Sequence, residues 1–341
     1  MADTKLTALS ELSVPALEDL LYIVDDPSGT PASAKISTTR IGGVLSPLYT
    51  TGRLTLATKN AIPESDLTAQ ATLYYTSVTN DDGVLANTFQ IVVFDGTRLR
   101  LYSSAEISLS LTGLLTASTP HDVFIYDNSG TLTLEVLAWT NGTTRATALA
   151  AQSGQLVKTG ATSRRYLGTL YATGTGTTAD AAATRYLYNA YNQAVRELML
   201  QESTSTWTLA RSGSPVWNEF NNSTGNRVGV MMGLVGPSYL TLGVYAGSLN
   251  SGAGNFDAVG IVEDGTGGAA ASNECDMMYR CGDIVTGQVP LAGYLQKVVP
   301  LGFHFYQALE WAYGVSGNAT FIGTDTSNNS RLAGLLGSVV L

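Results

Sequence analysis

The stretch His121–Thr147, HDVFIYDNSGTLTLEVLAWTNGTTRAT, decides how the chain is read. Leu132, Leu134, Val136 and Ala138 alternate with Thr131, Thr133 and Glu135, the period-two pattern of a strand with one packed face and one wet face. Just before it, Asp127-Asn128-Ser129-Gly130 joins side chains that bond their own backbone to a glycine that accepts positive φ. That combination predicts a short hairpin connection. Thr140–Thr144, TNGTT, is a second turn signal. Two turns at such close spacing predict a meander rather than βαβ crossovers.

The remainder of the chain has the same character. Charged residues make up 13% and hydrophobic residues 44%, while 36 glycines, 17 tyrosines and many Ser and Thr replace the Lys, Glu and Leu of a helical protein. The predicted class is all-β. At 341 residues two or three modules are expected, each able to bury a core. So little charge beside so much apolar side chain also suits a subunit whose surface is partly covered by partners. A formal net charge of −9 argues against a nucleic-acid groove, which needs clustered Lys and Arg; Arg164-Arg165 is too small a cluster to reverse this. No long apolar segment predicts membrane insertion, and Met1–Ser10 lacks the apolar core of a secretion signal. The expectation is a soluble chain made in the cytoplasm.

Three zones separate along the chain. In residues 1–50, Leu20, Leu21, Tyr22, Ile23 and Val24 read as a short strand, Asp26–Gly29 as its turn and Ala34–Ser37 as the returning strand. Ser37, Thr38 or Thr39 is placed to cap a short helix through Leu45. This unit is too small to hold a core, so it is expected to dock onto something else. Residues 51–165 read as a β-sandwich or meander, with strands at Thr72–Val78, Thr88–Phe94, Arg98–Ser104 and Ile107–Leu115. Residues 166–341 are a second β region in which glycine recurs every few residues, as in strands packed close to other backbones.

Within that region, LVKTGATSRRYLGTLYATGTGTTADAAATRYLYNAYN (Leu156–Asn192), TSTWTLA (Thr204–Ala210) and VPLGFHFYQALEWA (Val299–Ala312) resemble a module that recurs in structural proteins of tailed bacteriophages. His121–Thr147 resembles the segment that precedes this module, and Thr4–Ser37 resembles the attachment segment at the start of phage fibre and appendage proteins. Together these stretches cover most of the chain. The resemblance implies a homotrimeric, non-enzymatic virion protein with a β-sandwich or jelly-roll-like distal domain. Residues 1–50, with Leu20–Val24, would grip tail, baseplate or capsid proteins, and the distal domain would bind a host-surface glycan or protein. The alternative is a capsid decoration or head-fibre protein that stabilises the shell. Either would be made in the bacterial host cytoplasm and reside in the virion.

Residues that suggest chemistry were weighed against structural roles. Gly174-Thr175-Gly176-Thr177-Thr178-Ala179 matches a permissive dinucleotide fingerprint, with Glu197 near the required distance, but no second βα unit follows. No cofactor is expected. Cys275 and Cys281 fit free thiols, with a disulfide or a metal site as alternatives, and His121 and His304 have no companions at metal-binding spacing. A glycan depolymerase, the distant alternative, needs two carboxylates on a groove floor. Glu263-Asp264, Glu274 with Asp276, and Glu310 are the candidates, but adjacent acids on a strand point to opposite faces. Tyr186, Tyr188, Tyr191, Tyr239, Tyr245 and Trp311 are candidates for an aromatic binding surface, with core packing as the alternative for Tyr186 and Tyr188. Ala246–Met278 is the longest glycine-rich stretch, and Asn250, Asn255, Phe256, Asp257, Glu263 and Asp264 within it are the candidate receptor contacts.

Overall fold

The computed structural model describes residues 46–78, 88–236, 238–249, 254–267, 288–315, 317–324 and 333–341 in full, and as backbone 20–25, 32–37, 250, 277–278, 280–282 and 287. Apart from a 3-10 turn at Phe220–Asn222, the regular elements among these residues are all strands. The protein is all-β. Leu20–Asp25 pairs antiparallel with Ala32–Ser37, the predicted N-terminal hairpin. The helix expected through Arg40–Leu45 lies outside the described residues, as does Cys275.

The hairpin read first forms as expected. Pro120–Asn128 pairs with Thr131–Ala138 across Ser129-Gly130, with Asn128 opposite Thr131. Both turn residues have positive φ, 54° and 94°, the conformation that matches the twist of the flanking strands. The Asp127 carboxylate accepts the Gly130 amide at 2.6 Å. Leu132 and Leu134 are buried, while Thr131 faces water. The meander does not continue, however. Ala161–Gly174 returns beside the first strand of the hairpin, placing Tyr166 opposite Phe124 and Leu170 opposite His121. Phe124 is fully buried in the first strand, and edge-to-face packing with Tyr166 rewards that neighbour.

Two cores result. The first gathers Leu54, Leu73, Tyr75, Phe89, Ile91, Val123, Ile125, Leu167 and Leu170, with residues reaching to Leu187. The second begins at Tyr188 and lies between two facing sheets. One of those sheets runs through Arg227–Met232, Gly302–Tyr313 and Phe256–Glu263. The other runs through Val195–Gln201, Gly334–Val340, Tyr239–Asn250 and Gly287–Val298. The expected zone boundary at 165/166 therefore falls inside the long Ala161–Gly174 strand, and the cores part about twenty residues later. That strand lies between Pro120–Asn128 and Leu187–Asn189, with Gly168, Thr169 and Leu170 in register with both.

Buried cations join the parts. Arg53 donates to the backbone carbonyls of Ala61, Asn192 and Leu341, and Asp180 is shared by Arg185 and Arg196 at 2.8 and 3.0 Å. Tyr171 stacks on Phe303 at 3.8 Å. Arg165 is fully buried and donates to the carbonyls of Leu48, Tyr49 and Val92 while lying 4.4 Å over the Tyr191 ring. It thereby fastens the end of the N-terminal zone to the body.

Candidate functional surface

The sheet built from Tyr239–Asn250, Gly287–Val298, Gly334–Val340 and Val195–Gln201 packs only one face on the second core. Leu240, Leu242, Val244, Leu291, Leu295, Leu335, Val339 and Leu198 point inward. Alternation sends Tyr239, Tyr245, Tyr294, Met199, Leu336 and Val298 outward, each between 39% and 54% exposed where the exposure is large: Tyr239 54%, Met199 45%, Leu336 43%, Val298 43%, Tyr294 39%. Register lines up Met199, Leu336, Gly243 and Tyr294 across four adjacent strands. The Tyr245 ring lies over Gly243, where a Cβ would stand 2.6 Å from the Tyr245 hydroxyl. Tyr245 meets Tyr294 edge to face at 5.7 Å. Burial first, then the hydrogen bond and charge of Tyr294, push the Tyr245 phenol up to about 12. A cavity of about 60 Å³ opens between Tyr245, Met199, Gln201, Gly334 and Leu336. Tyr239 and Tyr245 were legible as candidates; Tyr294 was missed, although Val289, Leu291 and Leu295 alternate with Gln288, Pro290, Tyr294 and Gln296 in sequence.

The other aromatic candidates are placed differently. Tyr188 is core, and Tyr186 lies just outside the strands, edge-on to Tyr171 and Phe303. Tyr191 carries Arg165 on its face. Trp311 is half-buried, stacked with Tyr313 at 6.1 Å and near Trp217 at 6.3 Å.

Among its described residues, the glycine-rich stretch expected to be a loop is largely sheet. Tyr239–Asn250 and Phe256–Glu263 are strands, because Ala258, Gly260 and Val262 alternate with Asp257, Val259 and Ile261 and both sets find cover. Asp257 is fully buried and paired with Arg211 at 2.5 and 3.1 Å, and Ser248 also donates to it. It holds two strands together and is closed to solvent. Asn255 and Phe256 are half-buried at the start of the strand, and the side chain of Asn250 lies outside the described residues, as do Glu274 and Asp276.

Glu263 and Asp264 converge instead of diverging. Asp264 adopts φ 53°, which breaks the alternation and turns its carboxylate back onto His304 at 2.7 Å, with Glu263 at 3.8 Å. Glu263 also binds Lys297 and accepts the Tyr306 hydroxyl at 2.9 Å. The second ring nitrogen of His304 faces the Leu301 carbonyl at 3.3 Å. Two acceptors on two nitrogens favour the imidazolium. Burial pulls its pKa down, but the Asp264 hydrogen bond and charge outweigh burial, so it stands above 6.5. Burial likewise opposes the ionised form of Asp264, yet the bonds from His304 and the Phe305 amide hold its pKa below 3.8. The His304 contribution to stability is therefore full below pH 6.5 and is lost as pH rises through the folded value. The Asp264 contribution is present above pH 3.8 and fades as pH falls through its lowered value. His304→Gln is expected to flatten the alkaline limb in urea titrations between pH 6 and 9; an unchanged limb rejects this assignment.

Glu310, the remaining acid candidate, is 2% exposed. Trp207 Nε1 and the Asn221 amide donate to one of its oxygens, and the rings of Phe220 and Phe321 flank Trp207. Burial, set against the Trp207 and Asn221 bonds and assisted by the charge of Glu202, raises its pKa from 4.5 to about 7. This is a carboxyl sealed beneath tryptophan. Its stabilising effect is complete below pH 4.5 and is lost as pH rises through about 7. Glu310→Gln should be more stable than wild type at pH 8 by up to ~3 kcal/mol and lose that pH dependence; equal pH profiles in chemical denaturation would contradict it.

The two remaining chemical readings resolve structurally. His121 is 1% exposed, lies near the Thr119 carbonyl at 2.9 Å and accepts the Thr116 amide at 3.2 Å. Burial lowers its pKa, so it is a neutral turn tie. Gly174–Ala179 is the tight connection between two antiparallel strands, a geometry that has no helix terminus to offer pyrophosphate. No family model matches the chain, and no curated protein is similar to it.

Proposed function

We propose that this chain is a non-enzymatic structural protein of a tailed-bacteriophage particle, a homotrimeric fibre or spike. Its N-terminal hairpin would join the particle, and its distal β-sandwich would be presented to the host surface. The observation that carries the reading is the outward face of the distal sheet. It is a rigid, nearly uncharged array of Tyr, Met, Leu and Val on a fully packed scaffold, the composition of a surface that meets macromolecules. The carboxylates in the described residues that invited a catalytic reading are instead committed to Lys297, His304 or Trp207. The Arg165 clamp adds support, because a protein held by its N-terminal zone needs that zone anchored firmly to the body. Three copies would raise weak host contacts to useful avidity.

Purified protein should compete with intact particles for host cells, and antibody labelling should mark a tail or fibre tip at a few to a few dozen copies per particle. Uniform labelling of the shell at hundreds of copies would replace the fibre with a capsid decoration protein. No competition together with no labelling would reject the virion role.

A further inference from the structure

We infer that the outward face of the sheet formed by Val195–Gln201, Gly334–Val340, Tyr239–Asn250 and Gly287–Val298 is where copies of this chain meet one another. The inference deepens the proposed function by assigning its self-contact to particular residues, and it rests on three properties of the face.

Charge comes first. Along the four strands the outward positions are Val, Met, Leu, Tyr, Gln, Thr, Ser, Gly, Ala and Pro, with Glu197 as the one ionisable acid or base of full charge among those described. Lys297, on the last strand, turns inward to Glu263. Every copy carries a formal charge of −9, so copies repel wherever their acidic surfaces approach. A face that carries almost none of that charge is where the repulsion is least and the desolvation cost smallest.

Area comes second. Two strands of seven residues and two of twelve, spaced about 4.8 Å apart with a rise of about 3.4 Å per residue, cover roughly 600 Å² in projection. Side-chain relief brings the accessible area toward the ~800 Å² per partner of a standard stable interface.

Shape comes third. The cavity beside Tyr245 has a volume of about 60 Å³. Its apolar lining suits the tip of one aliphatic side chain. Its walls are Met199, Tyr245, Leu336 and the Gly334 backbone, with Gln201 at the rim, so a hydroxyl-rich ligand would find few partners there. Outward valines such as Val195, 69% exposed, are side chains of the right size on another copy.

The test uses the full chain. Light scattering after size exclusion should show an oligomer for wild type. Leu336→Asp should weaken association by roughly 100-fold or more, because it buries an unpaired charge at the centre of the face. Leu114→Asp, at a 48% exposed leucine of the first unit, should leave association unchanged. Should Leu336→Asp fail to fold, wild type alone decides: Met199 should resist peroxide oxidation in the oligomer and become reactive on dilution to monomer, as read by mass spectrometry. An oligomer that persists in Leu336→Asp, or a Met199 oxidised equally at both concentrations, overturns this face while leaving the oligomeric virion protein standing. A wild-type monomer at high micromolar concentration overturns the self-contact altogether, and host competition still tests the virion role separately.

Discussion

Asp257→Ala should lower the stability of the folded chain by about 3–5 kcal/mol, the range for a buried ion pair stripped of one partner. Asp257 and Arg211 have no exposed side-chain surface. Removing the carboxylate leaves a guanidinium in the interior beside the Tyr313 carbonyl at 3.0 Å, and leaves the Ser248 hydroxyl without its acceptor. Asp257 ties Phe256–Glu263 to the end of Thr206–Ala210 through Arg211 and to Tyr239–Asn250 through Ser248, so the loss should appear as a lower urea midpoint for the whole distal unit. Asp257→Asn keeps the shape but removes the charge, and should fall between the two. A wild-type midpoint for Asp257→Ala would mean that Asp257 is a surface group after all, open to a receptor.

Arg165→Ala should be comparably severe, about 4 kcal/mol or more. Arg165 heads the fully buried side chains by volume, so truncation leaves a large cavity. It also removes charge-assisted bonds to the carbonyls of Leu48, Tyr49 and Val92, each of a kind worth about 1.5–3 kcal/mol. The local consequence matters most for function. Pro47–Thr51 would keep the Gln155 bond to the Pro47 carbonyl at 2.7 Å and the backbone bonds of Tyr49 and Thr51 to Val92 and Gln90, but lose the clamp on Leu48 and Tyr49. Limited proteolysis should then cut between residues 46 and 51 well before the body is degraded. Unchanged cleavage with an unchanged melting temperature would show that the N-terminal zone is fastened some other way. Arg165→Lys should recover only part of the loss, since an ammonium lacks the planar fork that reaches three carbonyls and stacks on Tyr191.

Local signals were the readable ones. The Ser129-Gly130 hairpin, the N-terminal pairing of Leu20–Asp25 with Ala32–Ser37 and the strands at Thr72–Ser77 and Thr88–Phe94 are encoded within ten or so residues by alternation and turn chemistry. What alternation does not encode is which distant strand becomes the neighbour. Ala161–Gly174 joins Pro120–Asn128 across some forty residues because Phe124 and Tyr166 fit, and no periodicity in either segment announces that fit. Glycine misled for a related reason. Between Ala246 and Glu263 it suggested loops, but there it permits close packing, as at Gly247, where a Cβ would stand 3.1 Å from Ile322. The acids were hardest to place. Whether Asp257 meets water or Arg211 depends on a residue 46 positions away, and the convergence of Glu263 and Asp264 depends on a single left-handed residue. The outward tyrosines were half legible: Tyr239 and Tyr245 stand out by type, whereas Tyr294 gains meaning only once its strand lies beside theirs.

The central claim is that this chain is a structural part of a phage particle assembled from several copies of itself. Quantitative mass spectrometry of gradient-purified phage particles, prepared from the source of the gene, tests that claim most directly. The account predicts that the chain co-purifies at a fixed copy number divisible by three and remains after a high-salt wash. Its absence from infectious particles, with the protein found only in the lysate, would contradict the account.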